Sequence, residues 1–481
     1  MEKKTTIKKK NFLKNFINNP NYNFLTTRHE SLSARRLLSY IYQINIFLEK
    51  KKLTNKTIII QFKNRLDTFI FYLASIFSKT TICSLDPRLP RSRVNKIKNL
   101  IKAKIVLKKI NLIKKDYYDL KNFNLENHNF LITFSSGTSG EPKGIVHSTD
   151  NLLGSSSSYS KLAKYNKKTR ILHCLPEYYM AGIVNTFLSG FCSLSKIFII
   201  ESFNKKSIFG IWMDIEKFKI NLVYLVPSIY AMIVNFFPKN AKKIIKLNKI
   251  NFLSTSNNLY SSIRKTFFRK FGCKIKSCYG ITEMGGPLTN ETKPDLENDS
   301  VGKIIKNCKI KIKKLNNKNL LYFKSKYKCE YLIISGKKKK LELDRSGYFS
   351  SLDSGYIKNK NIILTGREKD ILKKGGELIY LKDIENIILE SSFVEEVAAV
   401  GIADNLSDEK LYLYIVLKKK NINTLVVNNL LSIVEKKMYK TERPDKIIFI
   451  KKMPKTLSGK IIKIKLLATN ASNKIREIVL R

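Results

Sequence analysis

Short apolar segments alternate along this chain with longer stretches in which apolar residues recur at helical spacing. The short segments have the length and composition of buried strands, as in TIIIQF (57–62), RILHCL (170–175) and LVYLV (222–226). Between them lie stretches such as RVNKIKNLI (93–101), whose apolar positions fall on one face of a helix. Alternating strands and helices are typical of parallel sheets, because each helix carries the chain back across the sheet. The sequence therefore predicts an α/β fold built around largely parallel sheet.

The pattern changes in two places, and each change indicates a structural boundary. From about 300 to 365, closely spaced short strands such as YLIIS (331–335) and NIILT (361–365) replace the alternation. Helix and strand signals return beyond that region, and the 481 residues exceed what one hydrophobic core usually covers. We therefore predict an N-terminal domain over residues 1–366, with a small β subdomain at about 300–365, and a C-terminal α+β domain over residues 367–481.

The chain carries a formal charge of +53 and 43% hydrophobic residues. The hydrophobic content is that of a folded globular protein and is too high for intrinsic disorder. A nucleic-acid-binding protein is expected to concentrate its charge on one stripe or helix, whereas the lysines here run from KKTTIKKK at the start to KIIKIK near the end. We therefore expect no specific nucleic-acid partner, and a basic nucleic-acid-binding protein is the alternative from another functional class.

Cysteine usage and apolar windows predict where the protein resides. The seven cysteines are an odd number without a CxxC pair, which favours neither a disulfide framework nor a zinc site. The basic opening MEKKTTIKKKNFLKNF lacks the apolar core of a secretory signal, and FIFYLASIF (69–77) is about half as long as a transmembrane helix. We expect a cytoplasmic protein with no transmembrane segment.

The segment FSSGTSGEPKG (134–144) is too rich in glycine and hydroxyl groups to serve a hydrophobic core, and it directly follows the strand-like FLIT. Glycines let backbone N–H groups surround an anion, and the hydroxyls and Lys143 add donors and a positive charge. The spacing does not fit GxxxxGK[ST], because no lysine directly follows Gly140 or Gly144. The sequence thus predicts a phosphate-binding loop that is not a Walker A loop.

A helix is expected to begin just beyond this loop, in STDNLL (148–153). Its N-cap candidates are Ser148, Thr149 and Asp150, whose side chains can accept from the first free backbone N–H groups. We therefore expect the phosphate-binding loop to lie between a strand and this helix.

The loop and four later segments resemble, in order, the signatures of the adenylate-forming superfamily, which is the acyl-CoA synthetase or AMP-dependent synthetase and ligase group. After TFSSGTSGEPKGIVHS come CYGITEMGG (278–286), GYFSSLDSGY (347–356), TGREKDILKKGGELIYLKDIEN (365–386) and MPKTLSGKIIK (453–463). The resemblance extends from about 55 to 465 and leaves the first fifty residues unassigned. It implies a large N-terminal domain of αβαβα layers with a small β subdomain, and a mobile C-terminal domain.

The resemblance also implies the catalytic residues. Lys460 is expected to lie between the substrate carboxylate and the α-phosphate, where a cation offsets the repulsion between two anions. Thr282 is expected to contact the α-phosphate, and Glu283 to hold Mg²⁺ against the phosphates.

Further residues are implied in binding. Tyr279 is expected to stack on adenine and Asp353 to accept both ribose hydroxyls, while Tyr179 and Gly280 are expected beside the substrate. The other residues implied in nucleotide or CoA binding are Thr133, Ser135, Ser136, Gly137, Thr138, Ser139, Gly140, Lys143, Ser256, Asn257, Arg367, Lys369, Gly375 and Gly376.

Two departures from the family pattern stand out. Ser351 and Leu352 replace the usual Thr and Gly before Asp353, and Tyr179 stands where many members carry His. A catalytically decayed member that only binds nucleotide therefore stays an alternative.

The resemblance implies an acid-thiol ligase of the acyl-CoA synthetase type. A carboxylic acid, of fatty or aryl type, would react with Mg·ATP to give an acyl-adenylate, and coenzyme A or the phosphopantetheine of an acyl carrier protein would take the acyl group. A stand-alone amino-acid adenylation domain is the main alternative, although Glu177 is the only acid near LPEYYMAG that could bind an amino group.

Overall fold

The structure is a computed structural model, and it describes most of the chain. The described residues are 7–135, 143–200, 208–255, 259–296, 299–315, 318–367, 371–374, 377–404, 408–419, 422–456, 461–467 and 473–479, a few of them at the ends of these segments by their backbone alone. Among them, no helix is both long enough and apolar enough to cross a membrane.

Two sheets form the N-terminal part of the chain. The first sheet has the strand order Lys337–Lys339, Tyr331–Ile334, Lys143–Ser148, Asn129–Ser135, Thr81–Ser84, Thr57–Ile60, Val106–Leu107. The second sheet has the order Ile275–Ser277, Asn251–Ser254, Leu222–Leu225, Arg170–His173, Lys196–Ile199, Asn23–Thr26, Ser31–Ser33. The first sheet is parallel from Asn129–Ser135 to Val106–Leu107 and antiparallel from Asn129–Ser135 to Lys337–Lys339. The second sheet is parallel except for the pair Asn23–Thr26 and Ser31–Ser33. The predicted α/β class is confirmed.

Both sheets bury their two faces, which explains why their strands are continuously apolar. In the strand Thr57–Ile60, Ile58 and Ile60 face a core shared with the second sheet, whereas Ile59 faces the helix Arg91–Leu100 on the outside. The shared core also holds the helices Ala34–Lys50 and Arg65–Ile76. Helices therefore cover the outer face of each sheet and also lie between the two sheets, which gives the predicted αβαβα layers.

Three helices in the N-terminal part begin at residues whose side chains accept from free backbone N–H groups. Ser33 accepts from Arg36 N, Asn64 from Leu66 N, and the predicted cap Ser148 from Asn151 N. The helices of this part are Ile7–Ile17, Ala34–Lys50, Arg65–Ile76, Arg91–Leu100, Thr149–Leu162, Ser189–Cys192, Ile208–Lys217, Pro227–Ile233, Ala241–Asn248 and Ser261–Phe271, with a π-helix at Ala181–Leu188 and 3₁₀ turns at Leu120–Asn122 and Thr282–Met284.

The glycine-rich segment joins two strands, not a strand and a helix. Lys143–Ser148 pairs antiparallel with Asn129–Ser135, and the helix Thr149–Leu162 begins only after this second strand. The expected order strand, loop, helix was therefore wrong by one element, because the apolar GIVH extends the sheet before the helix can begin.

A third sheet corresponds to the region of closely spaced strands. Its order is Thr289–Asn290, Ser300–Ile304, Asn361–Arg367, Phe349–Lys358, Lys318–Ser325, Cys308–Leu315. The strand Tyr331–Ile334, which the sequence pattern grouped with these strands, instead pairs with Lys143–Ser148 in the first sheet. Its residues Leu332 and Ile333 are buried there, and this burial decides its sheet.

The C-terminal part has a sheet and helices of its own. The strand order is Glu377–Tyr380, Ile371–Lys374, Asp408–Leu417, Lys446–Ile450, Lys474–Val479, and Val394–Asp404 also pairs with Asp408–Leu417. One face packs on the helices Leu381–Ile388 and Thr424–Lys437. The chain is completed by Lys440–Glu442 and the helix Lys463–Leu467. The chain thus has the predicted large N-terminal domain and a separate C-terminal domain.

The helix Ile7–Ile17 lies in the segment to which no role was assigned. Its Phe12 and Phe16 contact Phe191, with ring centroids 6.0 and 5.3 Å apart. Lys9 is fully buried and donates to the backbone oxygens of Asn124 and Glu126 at 3.2 and 2.6 Å. This segment is therefore an integral part of the N-terminal core.

Candidate active site

A cavity of about 2070 Å³ lies between the N-terminal sheets and the C-terminal domain. Its N-terminal wall includes six of the residues expected to bind substrates, namely Thr133, Tyr179, Tyr279, Gly280, Thr282 and Asp353. Its C-terminal wall includes Lys455, Thr456 and Ile461. We refer to this cavity as the cleft.

The segment CYGITEMGG folds into a narrow hairpin at the cleft. Gly280–Ile281 pairs antiparallel with Gly286–Pro287, and the 3₁₀ turn Thr282–Met284 connects them. A β-carbon on Gly280 would lie 2.5 Å from the backbone oxygen of Gly286, so this position requires glycine. The hairpin therefore presents Tyr279 and Thr282 on the cleft wall from a closely packed backbone.

Tyr279 and Asp353 are joined across the cleft wall. The Tyr279 hydroxyl donates to the Asp353 carboxylate, and the Tyr279 ring packs on Phe323 with centroids 5.6 Å apart. Arg367 is the register partner of Asp353 on the neighbouring strand. The sequence motifs assigned these three residues to the binding of one nucleoside, although Asp353 and Arg367 follow Tyr279 by 74 and 88 positions in the chain. The structure brings the three together.

The replacement of glycine by Leu352 has a visible structural consequence. Leu352 adopts a left-handed φ of 57°, which glycine takes without strain and leucine takes at a cost of about 1 kcal/mol or more. Asp353 nevertheless keeps its place, because its backbone N–H donates to Ser351 Oγ at 3.1 Å, and that hydroxyl donates to the Leu321 carbonyl at 2.8 Å. Ser351 therefore supports the turn that Leu352 strains.

The glycine-rich loop is anchored at both ends. Ser135 and Lys143 are register partners in the two antiparallel strands that flank the loop, and Thr133 lies on the first of these strands. The Thr133 hydroxyl is buried and has no hydrogen-bond partner within the described parts of the chain. Outside the described residues lie the expected loop positions Ser136, Gly137, Thr138, Ser139 and Gly140, and also Ser256 and Asn257.

The described residues that flank the expected catalytic lysine lie at the cleft. Lys455 and Ile461 form an isolated antiparallel bridge, and both line the cleft. Lys460 itself lies outside the described residues, as do Lys369, Gly375 and Gly376. Their roles therefore stay predictions.

Glu177 was the acid considered for binding an amino group, and it has a different partner. Its carboxylate accepts from Arg65 Nε at 2.9 Å, and only 5% of its side chain is exposed. Because Arg65 neutralises this carboxylate, Glu177 does not offer a substrate ammonium an unpaired anion. Tyr179, two residues further along the chain, lines the cleft and packs edge-on against Tyr178, with ring centroids 4.9 Å apart.

Glu283 is the carboxylate expected to hold a metal. Within the described parts of the chain, no group of three or more His, Cys, Asp or Glu side chains is arranged to hold a metal ion. Mg²⁺ commonly binds through one or two carboxylates together with substrate phosphates. A single half-buried Glu283 beside Thr282 on the hairpin fits that mode of binding.

Some residues at the cleft were not predicted from the sequence. Lys382 forms an ion pair with Asp299 at 2.6 Å, and Glu385 accepts from the Tyr260 hydroxyl at 2.7 Å, so the C-terminal domain is fastened to the N-terminal part. Asn185 also lines the cleft. The sequence does contain a signal for Asn185, because it is a polar residue within the apolar run MAGIVNTFL.

Comparisons with known proteins agree with this architecture. A family model described as AMP-binding enzyme matches residues 13–324, and one described as AMP-binding enzyme C-terminal domain matches residues 383–460. The chain is 23% identical over 349 residues to the oxalate–CoA ligase of Saccharomyces cerevisiae, a match that covers 69% of this chain and 61% of that protein. It is 24% identical over 369 residues to the malonate–CoA ligase of Arabidopsis thaliana, covering 69% of this chain and 59% of that protein.

The chain thus spans about three fifths of the length of these curated relatives. Among solved structures, ATP-bound MatB from Rhodopseudomonas palustris has the same fold, with a TM-score of 0.80 at 18% identity over 95% of this chain and 98% of that chain. Because the first family model alone matches residues 13–324, well over half of the sequence, the chain belongs to the AMP-binding enzyme family, within the adenylate-forming superfamily.

Proposed function

We propose that this protein activates a carboxylic acid with ATP and transfers the acyl group to the thiol of coenzyme A. The observation that carries the proposal is the meeting of Thr133, Tyr279, Thr282 and Asp353 in one cleft with the C-terminal segments on either side of residues 457–460. Membership of the AMP-binding enzyme family supports the activation step, and relatives named as CoA ligases support coenzyme A as the acceptor.

In the first half-reaction, a carboxylate oxygen of the acid attacks the α-phosphorus of ATP. The bond from that phosphorus to the oxygen bridging the α- and β-phosphates breaks, and pyrophosphate leaves. Tyr279, Asp353 and Arg367 hold the nucleoside, while Thr282 contacts the α-phosphate. Lys460 offsets the charge that accumulates as two anions approach, which is the kind of stabilisation that contributes most to catalysis at such sites.

In the second half-reaction, the thiol sulfur attacks the acyl carbon of the adenylate. The bond between the acyl carbon and the phosphate oxygen breaks, AMP leaves, and the thiol proton passes to solvent. The two half-reactions require different groups around one acyl carbon. We therefore propose that a C-terminal domain of residues 367–481 rotates against the N-terminal domain of residues 1–366, with Lys369 as the hinge.

Mg²⁺ is proposed as the metal, with Glu283 as its protein ligand. When bound, the ion would neutralise phosphate charge during the first half-reaction. The other contributions come from this chain, which orients the nucleoside through Tyr279 and Asp353 and closes the cleft with its C-terminal domain.

The acid is proposed to be of fatty or aryl type and not an α-amino acid, because Arg65 already neutralises Glu177. An acyl carrier protein carrying phosphopantetheine is the second candidate acceptor. It offers the same thiol chemistry as coenzyme A.

The experiment is an ATP–pyrophosphate exchange assay over a panel of fatty, aryl and amino acids, followed by thioester formation with coenzyme A or a phosphopantetheinylated carrier protein. We expect exchange with at least one carboxylic acid, and a loss of about 10²-fold or more in Lys460→Ala. Lys436→Ala is the control, since Lys436 is exposed on the helix Thr424–Lys437. Undiminished exchange in Lys460→Ala, or none with any acid in the folded wild type, would overturn the proposal.

A further inference from the structure

A continuous series of buried hydrogen bonds ends at Asn185 on the wall of the cleft. Asn185 lies in the π-helix Ala181–Leu188, lines the cleft and is 3% exposed. Its amide nitrogen donates to the Tyr224 hydroxyl at 2.9 Å and to Cys278 Sγ at 3.4 Å. The Tyr224 hydroxyl lies 2.8 Å from the Tyr159 hydroxyl, which donates to Asn290 Oδ1 at 3.2 Å.

The direction of each proton in this series is fixed from its far end. The Asn290 amide nitrogen donates to the Glu291 carbonyl at 3.0 Å, so Asn290 presents its oxygen to Tyr159. Tyr159 must therefore donate to Asn290, and Tyr224 must supply the one proton between the two hydroxyls. Asn185 is then the donor to Tyr224. The opposite amide orientation would place the two phenol oxygens 2.8 Å apart with no proton between them.

The hydroxyl groups of the series keep their protons. Tyr159 and Tyr224 are fully buried, and burial raises the pKa of both well above its usual value. Burial also raises the pKa of the Cys278 thiol. The series is therefore a neutral, directional set of hydrogen bonds that holds the Asn185 side chain in one orientation.

The amide oxygen of Asn185 is the polar atom that this arrangement leaves for the cleft. The hydrogen bonds of the Asn185 side chain within the described parts of the chain all use its amide nitrogen, which donates to the buried Tyr224 hydroxyl and to Cys278 Sγ. Behind it, Tyr224 and Tyr159 are completely buried, so the cavity ends at this wall.

The cleft wall that includes Asn185 combines apolar surface with one more polar group. Met180, Ala181 and Pro287 also line the cleft. Ser254 also lines the cleft, is 1% exposed, and its hydroxyl has no hydrogen-bond partner among the described residues. An apolar acyl group fits the first set of contacts, but it would leave a fixed acceptor at the end of the site unsatisfied, which is costly.

We propose that Asn185 selects carboxylic acids that carry a hydrogen-bond donor, such as a hydroxyl or amino group, on the part of the acyl group remote from the carboxyl. This inference rests on the proposed acid-activating function. A site whose buried polar atom needs a partner discriminates strongly against the analogue that lacks it.

Matched acids test the preference in the pyrophosphate exchange assay. Aminobenzoates substituted at each ring position are compared with the methylbenzoates of the same shape, and ω-hydroxyalkanoates with their parent alkanoates. We expect kcat/KM to favour a donor-bearing acid over its matched partner by about tenfold or more, and Asn185→Leu to remove or reverse that preference. Exchange that favours the apolar partner, or a preference unchanged in Asn185→Leu, would overturn this inference and leave the proposed function standing. Absence of exchange with every acid would overturn both.

A second variant separates orientation from packing. In Tyr159→Phe, the Tyr224 proton loses its acceptor and can be donated to Asn185 instead, so the amide turns and presents N–H groups to the cleft. We expect the ratio of kcat/KM for aminobenzoate over methoxybenzoate, a donor against an acceptor, to fall about tenfold or more. Tyr230→Phe removes another buried hydroxyl, which donates to Leu253 O at 2.8 Å, and should leave that ratio unchanged. Equal ratios in wild type and Tyr159→Phe would contradict the assigned orientation.

Discussion

Arg264 and Glu291 form an ion pair that is almost completely shielded from solvent. Their side chains are 2% and 1% exposed, and Arg264 Nη1 lies 3.0 Å from Glu291 Oε2. Arg264 also donates to the Ser300 carbonyl at 3.0 Å, and Glu291 accepts from Ser277 N at 2.7 Å. The pair therefore ties the helix Ser261–Phe271 to the strands that flank the Tyr279 hairpin.

The Arg264→Met variant should be strongly destabilised, because it leaves the Glu291 carboxylate buried without its cation. We expect a loss of about 3 to 5 kcal/mol in the free energy of unfolding, and recovery of most of it in the double variant Arg264→Met, Glu291→Met. Denaturant unfolding measures both. Lys437→Met breaks the Lys437–Glu390 pair, whose side chains are 50% and 48% exposed, and should cost under about 1 kcal/mol. A double variant as unstable as the single would contradict the prediction.

Lys9 is a buried lysine that makes stability depend on pH. Burial lowers its pKa from 10.5 to about 7, although Asp150 and Glu126 oppose the shift. Between about pH 7 and pH 10.5 the unfolded chain therefore binds more protons at Lys9 than the folded chain does. The contribution of Lys9 to the free energy of unfolding is then fully present above pH 10.5 and is lost as the pH falls towards 7.

The Lys9→Met variant should therefore lack this dependence. The free energy of unfolding of the wild type, minus that of the variant, should increase as pH rises from about 7 to about 9.5. Urea unfolding at several pH values measures the difference, and Lys10→Met, at an exposed neighbour on the same helix, is the control. Parallel pH profiles for wild type and Lys9→Met would show that Lys9 does not titrate in this range.

At the scale of elements, the hairpin of Gly280–Ile281 and Gly286–Pro287 determines the geometry of the candidate site. It is short, and it is held by the Leu288 N–H, which donates to the Tyr279 carbonyl at 2.9 Å, and by the Tyr279 N–H, which donates to Thr289 Oγ1 at 3.1 Å. A closely packed element of this kind cannot move one side chain without moving its neighbours.

The Gly280→Ala variant should reduce exchange activity about tenfold or more, because its β-carbon would meet the Gly286 oxygen at 2.5 Å and displace Tyr279 and Thr282. Gly272→Ala is the matched control. Gly272 ends the helix Ser261–Phe271 at a φ of +71° with no atom within 4 Å of the added carbon, so that variant should lose about 1 kcal/mol of stability and keep its activity. Exchange assays and thermal melts together give the comparison, and equal activity in both variants would contradict it.

At the scale of the whole molecule, a few polar contacts fasten the C-terminal domain over the cleft. Lys382 is 4% exposed and pairs with Asp299, and Glu385 accepts from the Tyr260 hydroxyl while pairing with Lys463 at 3.1 Å. Both contacting residues of the C-terminal domain lie on the helix Leu381–Ile388. In the orientation they hold, Lys455 and Ile461 line the same cleft as Tyr279 and Asp353.

The Lys382→Met variant should weaken this orientation and so separate the two half-reactions. We expect pyrophosphate exchange to fall several-fold, while transfer from preformed acyl-adenylate to coenzyme A is kept or increased. Lys437→Met is the control, since Lys437 pairs within the C-terminal domain. Equal losses in both half-reactions would show that Lys382 acts on stability alone.

The local patterns of the sequence were sufficient for the fold class and for the order of the motifs. Ile58, Ile59 and Ile60 are all buried because both faces of the sheet are covered. A strand covered in this way can be predicted from its continuous run of apolar residues. The grouping of Tyr331–Ile334 was wrong, because an apolar strand does not specify which sheet it joins. Membership depends on a pairing partner nearly two hundred residues away.

By itself the sequence determined the α/β class, the order of the motifs, the family resemblance and the chemical types of the expected site residues, since each of these depends on residues that are neighbours in the chain. Only the tertiary structure decided that the Tyr279 hydroxyl donates to Asp353 and that Arg65 forms an ion pair with Glu177. It also decided that Tyr159, Tyr224 and Asn290 fix the orientation of the Asn185 side chain. These contacts join residues from separate segments. Their energies depend on distance, burial and the direction of protons, which no stretch of sequence contains.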